Sequence, residues 1–315
     1  MSFAVLGEAL IDFIQGDEGS YRPHLGGSPY NVAIGLARQG IDVSYVSPLS
    51  DDSFGDKLEQ SLRSEGVKLP VRRRSLWPTS LALVTIGGGG QPAYRLYREG
   101  IADKDTSFEE IAAHLPHNIQ VFHTGSLALT PSQLPTIRKV LRLLHDRGVL
   151  VSIDVNIRLR ASIDERRYLD GVWSLLEDAD IVKASDEDLL AFQLDPDVRK
   201  SADIAFKRMG SGLLVLTEGT GGALLLGDGE SISKRAYPVA ALADTVGAGD
   251  TFHSAFLASL HRSGELAKSI DGLRTETLES ALDFACAAAA INVSRKGCSP
   301  PTAEEVSRFV AASAR

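Results

Sequence analysis

Cysteine is nearly absent from this sequence: Cys286 and Cys298 are the only two in 315 residues. Neither belongs to a CxxC pair. A chain of this length buries roughly 75% of its unfolded surface, so it needs neither disulfides nor a structural metal for stability. The two residues are therefore predicted to be free thiols in a reducing compartment, which we expect to be the cytoplasm.

An excess of positive charge is also missing. The chain has 33 Lys and Arg residues against 41 Asp and Glu residues, and its formal net charge is −8. This balance argues against nucleic acid or an anionic membrane as a partner. No run of roughly 18 apolar residues occurs, so no membrane span is predicted. The first residues have no basic start, and Glu8 and Asp12 interrupt them, which predicts a buried strand rather than a signal peptide.

Two common nucleotide-binding motifs are missing as well. No GxxxxGK[ST] segment occurs, which excludes a P-loop enzyme. The glycine run 87–90 follows a strand pattern, but Gln91, Pro92 and a second strand pattern come next. A dinucleotide fingerprint needs a helix N-terminus there to hold the pyrophosphate. The run is therefore predicted to be a hairpin loop, and a nicotinamide-dependent dehydrogenase is excluded.

Short apolar segments alternate with amphipathic segments along most of the chain. This alternation predicts a mostly parallel sheet covered by helices on both faces. Two stretches differ: residues 13–29 are polar and rich in glycine, and 79–99 contain two further strands, so both predict a small β excursion outside the main sheet. Strands of the main sheet are predicted at 3–6, 43–46, 121–123, 149–153, 181–182 and 213–216, and helices at 31–39, 54–64, 131–147, 166–176, 202–209, 251–261, 276–294 and 303–312.

The segment Asp244–Asp250, DTVGAGD, is the strongest candidate for chemistry because it precedes a clear helix pattern. Its glycines allow a tight turn that points the N–H groups of Ala248, Gly249 and Asp250 outward. Free N–H groups at a helix start attract anions. Asp250 is either a helix cap or a general base that takes the proton of a substrate hydroxyl. The neighbouring glycines, small residues and aspartates favour the base.

This segment resembles the signature of ribokinase-like (PfkB) sugar kinases, and Gly26–Ala33, GGSPYNVA, is similar to a second motif of that family. Matching segments between them extend the resemblance over nearly the whole chain, with fructokinases as the nearest group. It implies one α/β domain over residues 1–315, ribokinase-like and three-layered (α/β/α), with a mostly parallel central sheet. It also implies a small β lid formed by about 13–29 and 79–103, through which a homodimer is built.

The resemblance assigns catalytic and sugar-binding residues by position. A short carboxylate and an amide suit vicinal sugar hydroxyls, and a guanidinium suits the transferred phosphate. For Arg158, which lies in the DVNIR segment 154–158, a surface ion pair is the alternative. The residues assigned are Asp250 as base, Gly247, Ala248 and Gly249 as anion hole, Arg158 at the phosphate, and Asp12, Gly27, Asn31 and Arg98 at the sugar.

Nucleotide and metal residues are implied in the same way. Lys183–Asp188, KASDED, stands where the family has an NxxE motif linked to magnesium and phosphate, with Ser185 in place of Asn and Asp188 in place of Glu. A helix N-cap made by Ser185 with Asp188 is the alternative. The Ala287–Ala290 run resembles the helix beside the adenine in this family, and plain helix packing is an equally favoured explanation. The residues implied are Lys183, Ser185, Thr217, Gly219, Gly222 and Asn292 for ATP, Asp188 for Mg²⁺, and Asp244, Val246, Asn292, Arg295 and Gly297 for a monovalent cation such as K⁺.

The function implied is transfer of the ATP γ-phosphoryl group to a primary hydroxyl of a sugar, with fructose converted to fructose 6-phosphate. Kinases for 2-keto-3-deoxygluconate or ribose stay open, since Arg22, Arg95 and Arg98 supply cations that an acidic sugar would need. A non-catalytic sugar-sensing homologue is an alternative of another class. The intact Asp250 and its glycines argue against it.

Overall fold

The computed structural model describes residues 2–16, 19–86, 92–266, 270 and 272–313. Its main sheet has eight strands, and all six predicted strands belong to it. Six neighbouring strands are parallel, and two further strands extend one edge of the sheet in antiparallel fashion. The order across the sheet is β14 (Glu230–Lys234), β13 (Ala223–Gly227), β12 (Leu213–Thr217), β11 (Ile181–Ser185), β10 (Leu150–Asp154), β9 (Ile119–Gly125), β1 (Ser2–Leu6) and β4 (Val43–Tyr45).

Helices cover both faces of this sheet and enclose two separate cores. Phe3 and Val5 of β1 pack into one core with the helices at 28–38, 53–64, 248–262 and 275–293. Ala4 and Leu6 pack into the other core with the helices at 108–114, 134–146, 165–173 and 198–209. Both faces of the strands are buried, which explains their continuously apolar sequences. The helices are α1 (Ser28–Arg38), α2 (Ser53–Ser64), α3 (Phe108–His114), α4 (Leu134–Asp146), α5 (Glu165–Trp173), α6 (Asp186–Ala191), α7 (Val198–Met209), α8 (Ala248–Arg262), α9 (Thr275–Val293) and α10 (Ala303–Ser313).

The predicted three-layer arrangement with a mostly parallel sheet is thus confirmed. Because the parallel strands all end at one edge, the residues that follow them are brought together there. Glu8 follows β1, and Asp154 and Ser185 are the last residues of β10 and β11. In the described part of the chain, no helix is both long and apolar enough to cross a membrane.

A second sheet of four strands combines the two stretches that broke the sequence pattern. Its order is β3 (Tyr21–Gly26), β2 (Leu10–Gln15), β7 (Ser80–Ile86) and β8 (Pro92–Tyr97), with β2 and β7 parallel and the outer pairs antiparallel. The predicted β excursion is confirmed. The predicted hairpin loop at 87–91 lies outside the described residues. Two short strands, β5 (Leu49–Ser50) and β6 (Arg74–Ser75), form a separate parallel pair.

Candidate active site

The start of α8 forms a tight turn that only glycine fits. Gly247 precedes the helix with φ of 71°, in the left-handed region, and a Cβ there would lie 2.2 Å from Cys298 Sγ. The N–H of Ala248 donates to the Thr245 carbonyl at 3.2 Å. Within the described residues, the N–H groups of Gly249 and Asp250 have no acceptor. Two donors at a helix N-terminus are therefore available for an anion, whereas the predicted third, from Ala248, is already used.

Asp250 lies in the first turn of α8, and its carboxylate points to α1. Oδ1 accepts a hydrogen bond from Ser28 Oγ at 2.7 Å, and Oδ2 accepts one from Asn31 Nδ2 at 2.7 Å. The residue is 7% exposed, and burial raises its pKa, against the hydrogen bonds from Ser28 and Asn31 and the charges of Lys183 and Arg158. Its side chain does not cap α8. The structure thus fixes both oxygens of the predicted base and rejects the capping alternative.

Ser28 was not assigned a role by the sequence, although it lies inside the second motif. It begins α1 and stands three residues before Asn31, so both side chains share one face of the helix. Gly27, just before it, has φ of 111°, and a Cβ there would lie 2.5 Å from the Glu8 carbonyl oxygen. This close approach fixes the start of α1 against the end of β1. The i, i+3 spacing was the signal that could have identified Ser28.

Asp12 on β2 supplies a second, half-buried carboxylate. No hydrogen bond or ion pair joins it to another of the described residues. Burial raises its pKa to about 6, the charge of Arg158 lowers it, and Asp250 raises it further. A Cβ on Gly26 would lie 2.5 Å from Asp12 Oδ2, so the glycine makes room for this carboxylate. An acceptor without a protein partner suits a hydroxyl of a ligand.

Arg158 supplies an exposed positive charge near these carboxylates. It lowers the pKa of both Asp12 and Asp250. Its guanidinium donates to the Ile157 carbonyl at 3.1 Å. It forms no ion pair with any described residue, so the described structure does not support the surface ion-pair alternative. The chain bends before it at Asn156, where φ is 37°, a conformation that Asn tolerates better than most residues.

Lys183 places a buried ammonium under the first turn of α8. Its Nζ donates to Asp154 Oδ1 at 2.9 Å and Oδ2 at 3.1 Å. A Cβ on Gly249 would lie 3.0 Å from this nitrogen. Burial raises the pKa of Asp154 to about 6, opposed by Lys183; the carboxylates of Asp154 and Asp188 outweigh burial and raise the pKa of Lys183. The ammonium of the pair lies next to the free N–H groups, and its charge lowers the pKa of Asp250.

The amino-acid sequence matches one family of enzymes along almost the entire chain. A model of the pfkB family carbohydrate kinases covers residues 2–305. The chain belongs to the pfkB family of carbohydrate kinases. It is 31% identical to a protein named probable fructokinase-5 from Arabidopsis thaliana over 321 residues, which cover 96% of this chain and 95% of the relative.

Solved structures agree with this assignment. The fructokinase of Xylella fastidiosa, crystallised with bound ATP, has a TM-score of 0.89 and 26% identity, with 100% of this chain and 99% of that chain covered. A double mutant of the Vibrio cholerae O395 fructokinase, in a form with fructose, ADP and potassium ion, has a TM-score of 0.84 and 24% identity, with 98% of each chain covered. At that lower identity the second comparison establishes the shared fold alone.

In this kinase, Ser185 and Asp188 form the helix N-cap that was the alternative to magnesium binding. The Ser185 side chain accepts from the Asp188 N–H at 3.1 Å, and Asp188 Oδ2 accepts from the Ser185 N–H and hydroxyl, each at 2.8 Å. Asp188 Oδ1 accepts from the Ile157 N–H at 2.6 Å. The Asp188 carboxylate therefore ties α6 to the segment that carries Arg158. A contact with magnesium stays a prediction.

Asn292 braces the loops of the kinase, and its contact with nucleotide stays a prediction. Its Nδ2 donates to the Val246 carbonyl at 2.9 Å, and its Oδ1 accepts from the Ser299 N–H at 2.8 Å. Asp244 accepts from the N–H groups of Val246 at 3.0 Å and Gly297 at 2.9 Å. The residues predicted to hold a monovalent cation are thus brought together, and cation binding stays a prediction.

Two further predicted groups lie on other elements, and Thr217 stands beside Ser185 in the sheet. Thr217 ends β12, Gly219 begins an exposed turn, and Gly222 has φ of 104°, with no room for a Cβ beside the Lys234 carbonyl. Arg98 is 8% exposed, and its guanidinium pairs with Asp103 at 2.8 Å and donates to Ser80 Oγ at 3.0 Å. The guanidinium of Arg98 is thus already paired within the protein, and its contact with sugar stays a prediction.

Proposed function

We propose that this chain transfers the γ-phosphoryl group of ATP to the O6 hydroxyl of fructose. The observation that carries the proposal is the Asp250 carboxylate, which is held by Ser28 and Asn31 at the N-terminus of α8 beside two free N–H groups. A base next to an anion site is what phosphoryl transfer to an alcohol requires. Fructose is favoured because the relative from Arabidopsis thaliana is named a fructokinase.

In this proposal Asp12 accepts hydrogen bonds from sugar hydroxyls, and Asp250 accepts the proton of the attacking hydroxyl. The charge on the transferring group meets the N–H groups of Gly249 and Asp250 and the guanidinium of Arg158. Preorganised donors of this kind each contribute about 3–4 kcal/mol to transition-state stabilisation. The ammonium of Lys183, which is paired with Asp154, lies beneath Gly249 and next to these donors.

Magnesium fits this site as a partner of ATP and not as a resident ion. The described residues contain no group of three His, Cys, Asp or Glu side chains that could hold a metal. Mg²⁺ is commonly bound through substrate phosphates, retained waters and one or two carboxylates, and Asp188 is the carboxylate that we propose to reach it through water. Bound there, the ion would neutralise phosphate charge. We propose K⁺ at Asp244, Val246, Arg295 and Gly297 as a further candidate.

We also propose that the chain works as a single domain in the cytoplasm, with the four-stranded sheet as a lid over the sugar and as the interface of a homodimer. This is supported by Asp12, which lies on the sheet and in this proposal binds the sugar. Tyr21 on β3 and Tyr97 on β8 are 37% and 61% exposed, so each offers ring surface to a partner. Light scattering at several concentrations tests the dimer, and a monomer throughout would rule it out.

The substitution Asp250→Asn tests the function. We expect turnover to fall by about 10²–10⁴-fold, with sugar and ATP still bound, because the amide keeps the shape of the side chain but takes no proton. Asp203→Asn is the matched control, since Asp203 is exposed on α7. An ADP-release assay over fructose, ribose and 2-keto-3-deoxygluconate identifies the sugar. Near-normal turnover of Asp250→Asn would end the assignment, and no sugar-dependent ADP release would favour a sensing homologue.

A further inference from the structure

A small cavity lies behind the connection between β1 and β2. Its volume is about 20 Å³, and its walls include Glu8, Arg98, Asp103, Lys104 and Thr106. Two carboxyl groups here face a guanidinium and an ammonium. Arg98 pairs with Asp103 at 2.8 Å, and Lys104 Nζ donates to the Arg98 carbonyl at 2.9 Å. The cavity therefore has a charged part with balanced formal charges, and apolar residues such as Leu6 and Ile111 complete its wall.

Several buried atoms at this cavity lack hydrogen-bond partners. In the part of the chain that the structure describes, they are Glu8 Oε2, Arg98 Nε, Asp103 Oδ1 and Thr106 Oγ1. Each such group costs about 1–3 kcal/mol if it stays unsatisfied. A polar cavity holds a water molecule once its volume reaches roughly 10–15 Å³. Both the size and the lining of this cavity therefore fit an ordered water.

Glu8 connects this cavity to the base of the proposed reaction. It is 1% exposed, and its Oε1 accepts from the Ser28 N–H at 3.2 Å. The Ser28 hydroxyl in turn donates to Asp250 Oδ1 at 2.7 Å. Burial, opposed by Arg98, raises the pKa of Glu8 to about 7, so near neutral pH a large fraction of Glu8 carries a proton.

We propose that Glu8 is a positioning residue for Asp250: one carboxyl oxygen holds Ser28, and a buried water in the cavity fixes the other. The inference rests on the proposed kinase activity. Through the same water, Arg98 and Asp103 link the segment after β8 to the base. This assigns Arg98 to the support of the site, in agreement with its ion pair.

The test compares Glu8→Ala with Glu8→Gln, using the sugar that the wild type phosphorylates fastest. Glutamine keeps an acceptor for Ser28 and a donor for the water, so turnover should stay within about threefold, which is roughly 0.7 kcal/mol. Alanine removes both and should lower turnover about 10²-fold through misplacement of the base, with the KM for ATP unchanged. Because the Ser28 hydroxyl lowers the pKa of Asp250, the acid limb of the kcat/KM profile should move to higher pH.

A double variant separates this role from a general effect on stability. If Glu8 acts through Ser28, Glu8→Ala should add little to the limb shift already caused by Ser28→Ala, since coupled residues are non-additive. Glu279→Ala, at an exposed position of α9, is the control. Glu8→Met, which has similar volume but no oxygen, replaces Glu8→Ala if that variant does not fold.

Three outcomes would overturn the inference: a normal acid limb in Glu8→Ala and Glu8→Met, equal losses in Glu8→Gln and Glu8→Ala, or additive limb shifts in the double variant. A crystal structure at high resolution supplies a separate readout. It should show one ordered water within hydrogen-bond distance of Glu8 Oε2 and Thr106 Oγ1, and a dry cavity would contradict the proposal. A wild type without turnover on any sugar would refute the kinase assignment, while the water could still be observed.

Discussion

At the scale of single residues, the two donors on Asp250 set its basicity. Burial raises the pKa of this carboxyl, and the hydrogen bonds from Ser28 and Asn31 oppose that rise. A hydrogen bond to a charged group is worth about 1.5–3 kcal/mol, which corresponds to about 1–2 pH units. The identity of the residue at 28 should therefore control the pH at which the base is ready to act.

Ser28→Ala should raise the pKa of Asp250, because the carboxylate loses a hydrogen bond that favours its charged form. The carboxylate form is the active one, so the acid limb of the kcat/KM profile should move to higher pH, while activity well above that limb changes little. The measurement is a pH profile of ADP release. Ser28→Thr, which keeps the hydroxyl, is the control. An unmoved limb in Ser28→Ala would mean that this hydrogen bond does not tune the base.

Gly247→Ala should distort the turn before α8. The added Cβ would meet Cys298 Sγ at 2.2 Å, and φ of 71° disfavours any side chain. Strain of this kind costs about 1–3 kcal/mol, and the free N–H groups of Gly249 and Asp250 would be displaced. We expect a lower unfolding temperature, and a fall in turnover that is larger than the loss of stability alone would cause. Both are measured on the same sample.

The companion variant Gly247→Ala/Cys298→Ala separates the two causes. Removing the thiol removes the contact at 2.2 Å but leaves the Cβ of residue 298 at 2.6 Å and the left-handed φ, so stability should recover only in part. Full recovery of stability and turnover would show that the collision alone accounts for the effect. No loss in Gly247→Ala would contradict the role of this turn as an anion site.

At the scale of elements, the site depends on loops that are tied to each other by side chains. Asp188 joins the N-terminus of α6 to Ile157, and so positions Arg158. Asn292 and Asp244 similarly join the turn before α8 to the loop after α9. These ties explain why residues predicted to touch ATP or a metal are found in support of the backbone.

Asp188→Ala should lower kcat at saturating Mg²⁺, because the N–H groups of Ile157 and Ser185 lose their acceptor and Arg158 shifts. Leaving buried N–H groups unsatisfied also costs about 1–3 kcal/mol each in stability. Asp188→Asn, which keeps one acceptor, should fall between the alanine variant and the wild type. The measurement is turnover as a function of Mg²⁺ concentration. A change confined to the Mg²⁺ requirement, with normal kcat at saturation, would show that Asp188 acts through magnesium alone and does not position Arg158.

The elements differed in how well the sequence predicted them. The central strands were correct because burial on both faces makes them continuously apolar, and long helices such as α8 and α9 were correct because their patterns extend over several turns. Helices α3 and α6, of 7 and 6 residues, are too short for a periodic signal. The strands β13 and β14 were missed because no pattern in the chain marks an antiparallel extension of a parallel sheet.

At the scale of the whole molecule, the sequence predicted residues of the candidate site but not the hydrogen bonds that connect them. Motifs identified Asp250, Asn31 and Asp12, and the parallel sheet explains why such distant segments meet at one edge. The hydrogen bonds of Ser28 to Asp250 and of Glu8 to Ser28 span 222 and 20 residues. Contacts of that kind follow from the packing of α1 against α8, which no local pattern encodes.

The same packing places two neutral histidines beneath the site, and they make stability depend on pH. His123 on β9 and His253 on α8 are 0% exposed and share the hydroxyl of Ser152, at 3.1 and 2.7 Å. Burial lowers the pKa of His123 from 6.5 to about 3 and that of His253 well below its usual value. Below pH 6.5 the unfolded chain binds protons at these histidines, whereas the folded chain does not. The stability that the neutral histidines contribute is therefore fully present above pH 6.5 and is lost as the pH falls toward 3. The loss is about 1.4 kcal/mol per pH unit for each histidine.

His123→Phe should therefore lose less stability than the wild type on acidification, by about 1.4 kcal/mol per pH unit below 6.5. Comparison with the wild type is needed because buried acids such as Glu8, whose pKa is raised to about 7, act in the opposite direction in both proteins. Urea unfolding at pH 7.0 and 5.5 measures the difference, and His145→Phe, at an exposed position of α4, is the control. Equal acid sensitivity of His123→Phe and the wild type would show that His123 takes up a proton without unfolding, and that the layer beneath α8 is open to solvent.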